Sequence, residues 1–365
     1  MMFENTTISI LNYFIETSRD VYGLFGMPNA TTYPTPIMSN FINYRSFVFI
    51  PILIVSIVLS IFVNYVILTQ SKTLGTYKYY IINQTVWSQL FEIGMILYNP
   101  VVLMPYIAGY SGGIFRSFGT YESSAIAITV GFCLYYCALF GAILSFINRY
   151  ILAFRPESKK YLESKYTFAY IAWLHGGACA GIAIFLLTTA PRGSTVRQVV
   201  DQETHGALNE YLSEPTFVYF QDINGSARAI LLFCALVILG FLLLFSLVVI
   251  WFIANVFIYK RKATSITKLS RSLIICSLVQ LLLCVVFLFC PYIIGVGSLA
   301  LRLENGDFVN ALCGIVSLHG TADILSTLYF IVPYRKFCVQ LLKKKKLIII
   351  VPFPISMASL MNKHI

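Results

Sequence analysis

Seven apolar stretches, each long enough to cross a bilayer, constrain this chain more than any motif in it. They lie at residues 46–69, 79–105, 123–147, 166–190, 229–259, 272–301 and 308–334, and five of them hold no Asp, Glu, Lys or Arg. A membrane-spanning helix needs about 20 consecutive apolar residues. A soluble helix cannot stay uncharged for that long, because one of its faces must meet water. Composition agrees, with 58% of residues hydrophobic and 11% charged, against about 25% charged in a soluble domain. The reading is an all-α membrane protein, a bundle of seven transmembrane helices forming one domain over 46–334, flanked by an N-terminal segment 1–45 and a tail 335–365.

The charges sort by side. If the N-terminus is outside, the connections on the inner side hold 19 of the 26 Lys and Arg, and the outer connections hold 11 of the 15 acids. That leaves the inner side at +17 and the outer at −4, the polarity that membrane insertion enforces. The net charge of +11 is thereby explained without nucleic acid as a partner. Three glycosylation tripeptides, at Asn5, Asn29 and Asn224, fall on the side read as outside. The expected orientation is N-terminus outside, C-terminus inside. Residues 1–7 lack the basic start of a signal peptide and 8–15 is interrupted by Asn12, so the first span is expected to act as its own insertion signal.

Acidic residues inside spans are costly, and they face the bundle interior. There are two, Glu92 and Asp323, and His319 shares a helix face with Asp323 at i,i+4 spacing. Both carboxylates are expected near mid-membrane. They form either a switch that couples the two membrane faces, together with a kink at Pro291, or a fixed network that holds helices together. The aromatics Tyr135, Tyr136, Phe289 and Tyr292 are candidates for a ligand pocket. Asn148, Arg149 and Tyr150 close the third span at its inner end, and Lys260, Arg261 and Lys262 open the basic loop after the fifth. Cys338, just past the last span, is a lipidation candidate. The tail from Arg335 to Lys346 alternates apolar residues with six bases, a pattern that suits a helix lying on an anionic inner leaflet. No catalytic or metal-binding motif occurs, so no enzyme activity and no cofactor are expected.

Several stretches resemble one family. Leu318-His319-Gly320-Thr321, followed by Ser326-Thr327 and Pro333-Tyr334-Arg335-Lys336-Phe337, is similar to the end of nematode serpentine chemoreceptors of class h, in the Str superfamily, with classes i and d as near alternatives. Leu74-Gly75-Thr76-Tyr77-Lys78-Tyr79-Tyr80, Pro105-Tyr106-Ile107-Ala108-Gly109-Tyr110 and Asn148-Arg149-Tyr150 carry the same resemblance. It implies a G-protein-coupled chemosensory receptor in the plasma membrane, at sensory cilia, that detects a small environmental chemical and activates a heterotrimeric G protein. It further implies that Arg149 and the basic loop 260–271 face the G protein and that Pro291 is a hinge. Two parts usual in seven-helix receptors are missing. Asn148 stands where an acid usually locks the Arg, and the outer connections hold no Cys for a disulfide. The competing reading is a transporter or ligand-gated channel that uses Glu92, His319 and Asp323 as an ion path.

Overall fold

The computed structural model describes residues 33–71, 74–154, 158–191, 193–222, 225–262 and 268–350. Asn5, Asn29 and Asn224 lie outside the described residues, as do the side chains of Lys260, Arg261 and Lys262. Seven long helical segments form the bundle. These are α1 (Phe41–Gln70), α2 (Tyr77–Tyr98), α3 (Tyr121–Phe154), α4 (Lys165–Thr189) and α5 (Ser226–Lys262). α6 joins Lys268–Cys284, Val285–Phe289 and Cys290–Ala300, and α7 joins Gly306–Val316 and His319–Phe330. α8 (Val332–Ile350) follows.

Six of the seven are long and apolar enough to cross a membrane. The exception is α2, whose inward face carries Gln84, Thr85, Ser88, Gln89 and Glu92, all buried. Its 22 residues still reach about 33 Å at 1.5 Å per residue, enough for the hydrocarbon core. In α1 the buried residues Arg45, Phe49, Ser56, Ser60, Val63 and Ile67 recur at helical spacing. Phe47, Val48, Ile54, Val58 and Ile61 point outward, an apolar surface suited to lipid. α7 closes the ring by packing on α6, α2 and α1, while α5 packs mainly on α6 and α4 on α3.

Two expected boundaries are corrected. The second span ends at Tyr98 instead of continuing to 105, because Asn99 turns left-handed at φ 47°. Pro100 also disfavours helix in the residue before it. The seventh span ends at Phe330, and 332–334 belong to α8.

The chain beyond α2 forms a small sheet that the helical reading did not anticipate. β1 (Pro100–Val102) pairs antiparallel with β2 (Ala108–Ser111), and β2 pairs with β3 (Val218–Tyr219) from the long connection after α4. Gly109 is required in β2, since a Cβ there would lie 2.5 Å from the Val101 carbonyl oxygen. A short helix (Val196–Thr204) lies in the same connection, and Val200, Leu208 and Phe217 pack with Leu103, Tyr106 and Tyr219 into a separate apolar core. The nine cysteines are all free, so this roof is held without a disulfide. Arg228 at the start of α5 donates to Asp222 at 2.8 Å and to the Pro105 carbonyl at 2.9 Å. The Tyr219 hydroxyl donates to Glu203 at 2.6 Å. Burial, then that carboxylate, pushes the phenol above its ordinary range, so it stays a donor at neutral pH.

The outer edge of β1 is satisfied by a side chain. Asn310 of α7 accepts from the Val102 amide at 2.9 Å and donates to its carbonyl at 3.0 Å, as a neighbouring strand would. Beside it Arg45, buried in α1, donates to the carbonyls of Asn310 and Pro100, both at 2.6 Å. One guanidinium thus ties α1, α7 and the sheet together. Hydrogen bonds to a charged group contribute about 1.5–3 kcal/mol each, so Arg45→Met should lower the stability of the purified protein by about 3 kcal/mol. Arg116→Met, which breaks the exposed Arg116–Glu214 pair, should cost less than about 1 kcal/mol. Thermal unfolding of the two variants side by side checks both values.

Candidate functional site

Three neighbouring regions hold the candidate residues: a cavity under the sheet, a polar layer below it, and a buried arginine at the opposite end. The cavity is about 700 Å³ and lies between the sheet, α2, α3, α4, α5, α6 and α7. Its floor includes Phe91, Tyr135 and Tyr292, with Tyr135 stacked on Tyr292 at 5.0 Å between centroids and Phe91 edge-on to Tyr135 at 5.6 Å. Among the described residues, no Asp, Glu, Lys, Arg, His, Asn or Gln lines it.

Of the four aromatics named from sequence, the structure brings Tyr135 and Tyr292 to this wall and leaves two elsewhere. Tyr136 faces α4, against Phe140 and His175. Phe289 is fully buried below the cavity, stacked towards Phe241 and Phe245 of α5. Tyr135 and Tyr136 are adjacent on one helix and so point about 100° apart; only one of them can face the interior. Pro291 also lines the cavity. Immediately before it, Val285–Phe289 is a π-helical turn. Proline removes a backbone donor and crowds the preceding turn, and a widened turn is a common way for a helix to absorb it.

Below the cavity, α7 is broken at Ser317 and Leu318 and restarts at His319. A helix start leaves N–H groups without intrahelical partners, and in the bundle interior there is little water to satisfy them. Glu92 does so: its carboxylate accepts from the Thr321 backbone N–H and from the Thr321 hydroxyl. The positive end of the half-helix dipole favours the charge. The two helices meet closely here, because a Cβ on Gly320 would lie 2.7 Å from the Ser88 carbonyl oxygen and 2.9 Å from a Glu92 oxygen.

One turn on, Asp323 accepts from Gln84 of α2 and Gln280 of α6 on the same oxygen, each at 2.8 Å, and Gln280 also donates to Thr327 at 2.9 Å. His319 faces Cys284 of α6 with Nε2 3.7 Å from the sulfur. Glu92, His319 and Asp323 therefore share the interior, but each has its own partners. Sequence reasoning missed Gln84, Gln280, Thr321 and Thr327. The available signal was spacing, since Gln84, Ser88 and Glu92, like His319, Asp323 and Thr327, recur every four residues.

Towards the opposite end, Asn148 and Arg149 are both buried. Arg149 donates from Nε to the Tyr77 hydroxyl and from Nη1 to Ser277 at 2.9 Å, and its guanidinium lies over the Tyr77 ring at 5.5 Å. Tyr77 is on α2 and Ser277 on α6, one turn from Gln280, so the arginine joins the same helices as the Asp323 layer. Tyr150 packs on Trp251 of α5 at 5.4 Å. Cys338 sits partly buried on α8.

Removing the Glu92 carboxylate should uncap the half-helix. Glu92→Leu should lower stability by about 2–3 kcal/mol, and Glu92→Gln, which keeps one acceptor, by about half of that. Gly320→Ala should be at least as severe as Glu92→Leu, because the neighbour it meets is backbone. Thermal unfolding of purified variants, compared with the wild type, checks the ranking.

The family model described as serpentine type 7TM GPCR chemoreceptor Srh matches residues 42–344. A search of curated proteins finds no match. The matched stretch takes in α1 to α7, the sheet, the cavity and most of α8. With seven helices around the cavity and a family match over residues 42–344, this chain belongs to the Srh family of nematode serpentine chemoreceptors.

Proposed function

We propose that the protein binds a small environmental chemical in the cavity under the sheet and activates a heterotrimeric G protein at the opposite end. The observation that carries this reading is the continuity between the two ends. The cavity floor at Tyr292 and Pro291 adjoins the π turn of α6. The same helix then supplies Gln280 to Asp323 and Ser277 to Arg149. A ligand that prefers one placement of the floor shifts α6 in that direction, by no more than its difference in affinity for the two placements. Movement of α6 away from α3 frees Arg149 from Ser277 and exposes the inner surface to a partner.

In this reading the N-terminus and the sheet are outside, and Arg149, the basic loop 260–271 and α8 are inside. The receptor sits in the plasma membrane of a sensory cell, in its ciliary part. α8 lies on the anionic inner leaflet through its bases, and Cys338 is its acylation point. Asn5, Asn29 and Asn224 are glycan acceptors. An ion path is the weaker reading, because the Glu92 carboxylate is engaged by Thr321 and, among the described residues, the cavity wall carries no charged side chain.

A panel of small uncharged compounds, applied to cells expressing the receptor and a G-protein reporter, should give a response that Arg149→Ala abolishes while surface level and ligand binding hold. Tyr292→Ala should weaken the response at least tenfold in concentration. Current that persists when G proteins are blocked would favour the channel reading instead.

A further inference from the structure

The cavity is roofed on its sheet side by the strands and the connection after α4. The roof is a packed layer: Val101, Leu103, Tyr106, Leu208, Phe217 and Tyr219 are all buried, and Arg228 and Asn310 pin the β1–β2 turn and β1 to the helices. Reaching the cavity along the bundle axis would mean unpacking that layer. The side is different. In the half away from the sheet, α3 and α5 meet through Phe146 and Phe245 at 5.8 Å and through Tyr150 and Trp251 at 5.4 Å. In the sheet-side half the cavity lies between them, walled by Ile126 and Val130 of α3 and Leu231 of α5, with Phe185 and Leu186 of α4 at its border. Ile126 is 55% exposed and Val130 49%, so these two cavity-lining side chains also face outward. Their surroundings are the apolar outer faces of α4 and α5, including Ile184, Leu187, Leu236 and Val237. That surface faces lipid tails.

We propose that the cavity takes an uncharged, largely hydrocarbon ligand and that the ligand enters from the bilayer through the seam between α3 and α5. The proposal rests on the reading of this cavity as the ligand site. The wall offers phenol hydroxyls, the Ser123 hydroxyl and the Cys313 thiol as its polar side-chain groups, enough to orient one hydroxyl or carbonyl but not to neutralise a charge. Each methylene withdrawn from water enriches a compound in the bilayer about fourfold. A ligand of this class is therefore concentrated where the seam opens.

The experiment uses full-length receptor in phosphatidylcholine nanodiscs and two photoreactive probes, a diazirine-bearing decanol and the matching decanoate. Labelling of the peptides containing Tyr135 and Tyr292 is followed against time of incubation before the flash. The decanol should label both peptides at least tenfold more than the decanoate. Val130→Trp, which fills the seam, should slow the approach of decanol labelling to its own plateau at least fivefold, and Arg116→Ala, which removes the exposed Arg116–Glu214 pair on the sheet side, should leave the rate unchanged. Ile126→Trp repeats the measurement should Val130→Trp fail to fold. An unchanged rate in the seam variants, with or without faster labelling in Arg116→Ala, overturns the membrane route. Equal labelling by decanoate overturns the ligand class. Labelling of neither peptide by either probe overturns the cavity as the ligand site, which separates that failure from failure of the route.

Discussion

The contact between Glu92 and the restart of α7 is the interaction on which the rest of this bundle depends. Within a membrane every backbone N–H needs a partner from the protein itself, and a helix broken at mid-span exposes several at once. A single carboxylate from α2 answers both donors of Thr321. That solution fixes the spacing of α2 and α7, which Gly320 allows to be close. It also explains why an acid can sit at this depth without a cation beside it. With α2 and α7 held together, Gln84 and Gln280 can converge on Asp323, and the cavity above gains a firm floor.

The two ends of the molecule are held by unlike means. At the sheet end, hydrogen-bonded strands, an apolar core and the buried Arg45 replace the disulfide found in most rhodopsin-like receptors. At the other end Arg149 is held by neutral hydroxyls of Tyr77 and Ser277. Breaking bonds to neutral partners leaves no carboxylate stranded, so releasing this arginine costs less than opening a buried ion pair. α6 is the element common to the cavity floor, the Asp323 layer and Arg149, and its π turn places the adaptable part of the helix between them.

Much of this was legible in the sequence. The seven spans follow from run length and the absence of charge, and the family follows from the end of α7. The sheet was not legible, because strands of two to four residues leave no alternating pattern. The end of α2 was readable in principle from Asn99-Pro100, but the apolar run continues past it and hides the turn. Nothing in the sequence singles out Arg45, since its partners are carbonyls brought together only by the fold. Tyr136 and Phe289 were misplaced relative to the cavity because helices apolar all round do not declare which face is inward. The neutral members of the polar layer are marked only by four-residue spacing, a weaker signal than a charge inside a span.

The central claim is that ligand in the cavity and G protein at the far end are coupled through the Asp323 layer. Coupling of this kind is reciprocal, so it is measured directly as the change in affinity for an activating compound when G protein is bound. The account predicts that G protein tightens that affinity severalfold in the wild type, and that Gln280→Leu brings the factor close to one without altering the affinity of the receptor alone. An undiminished factor in Gln280→Leu would contradict it.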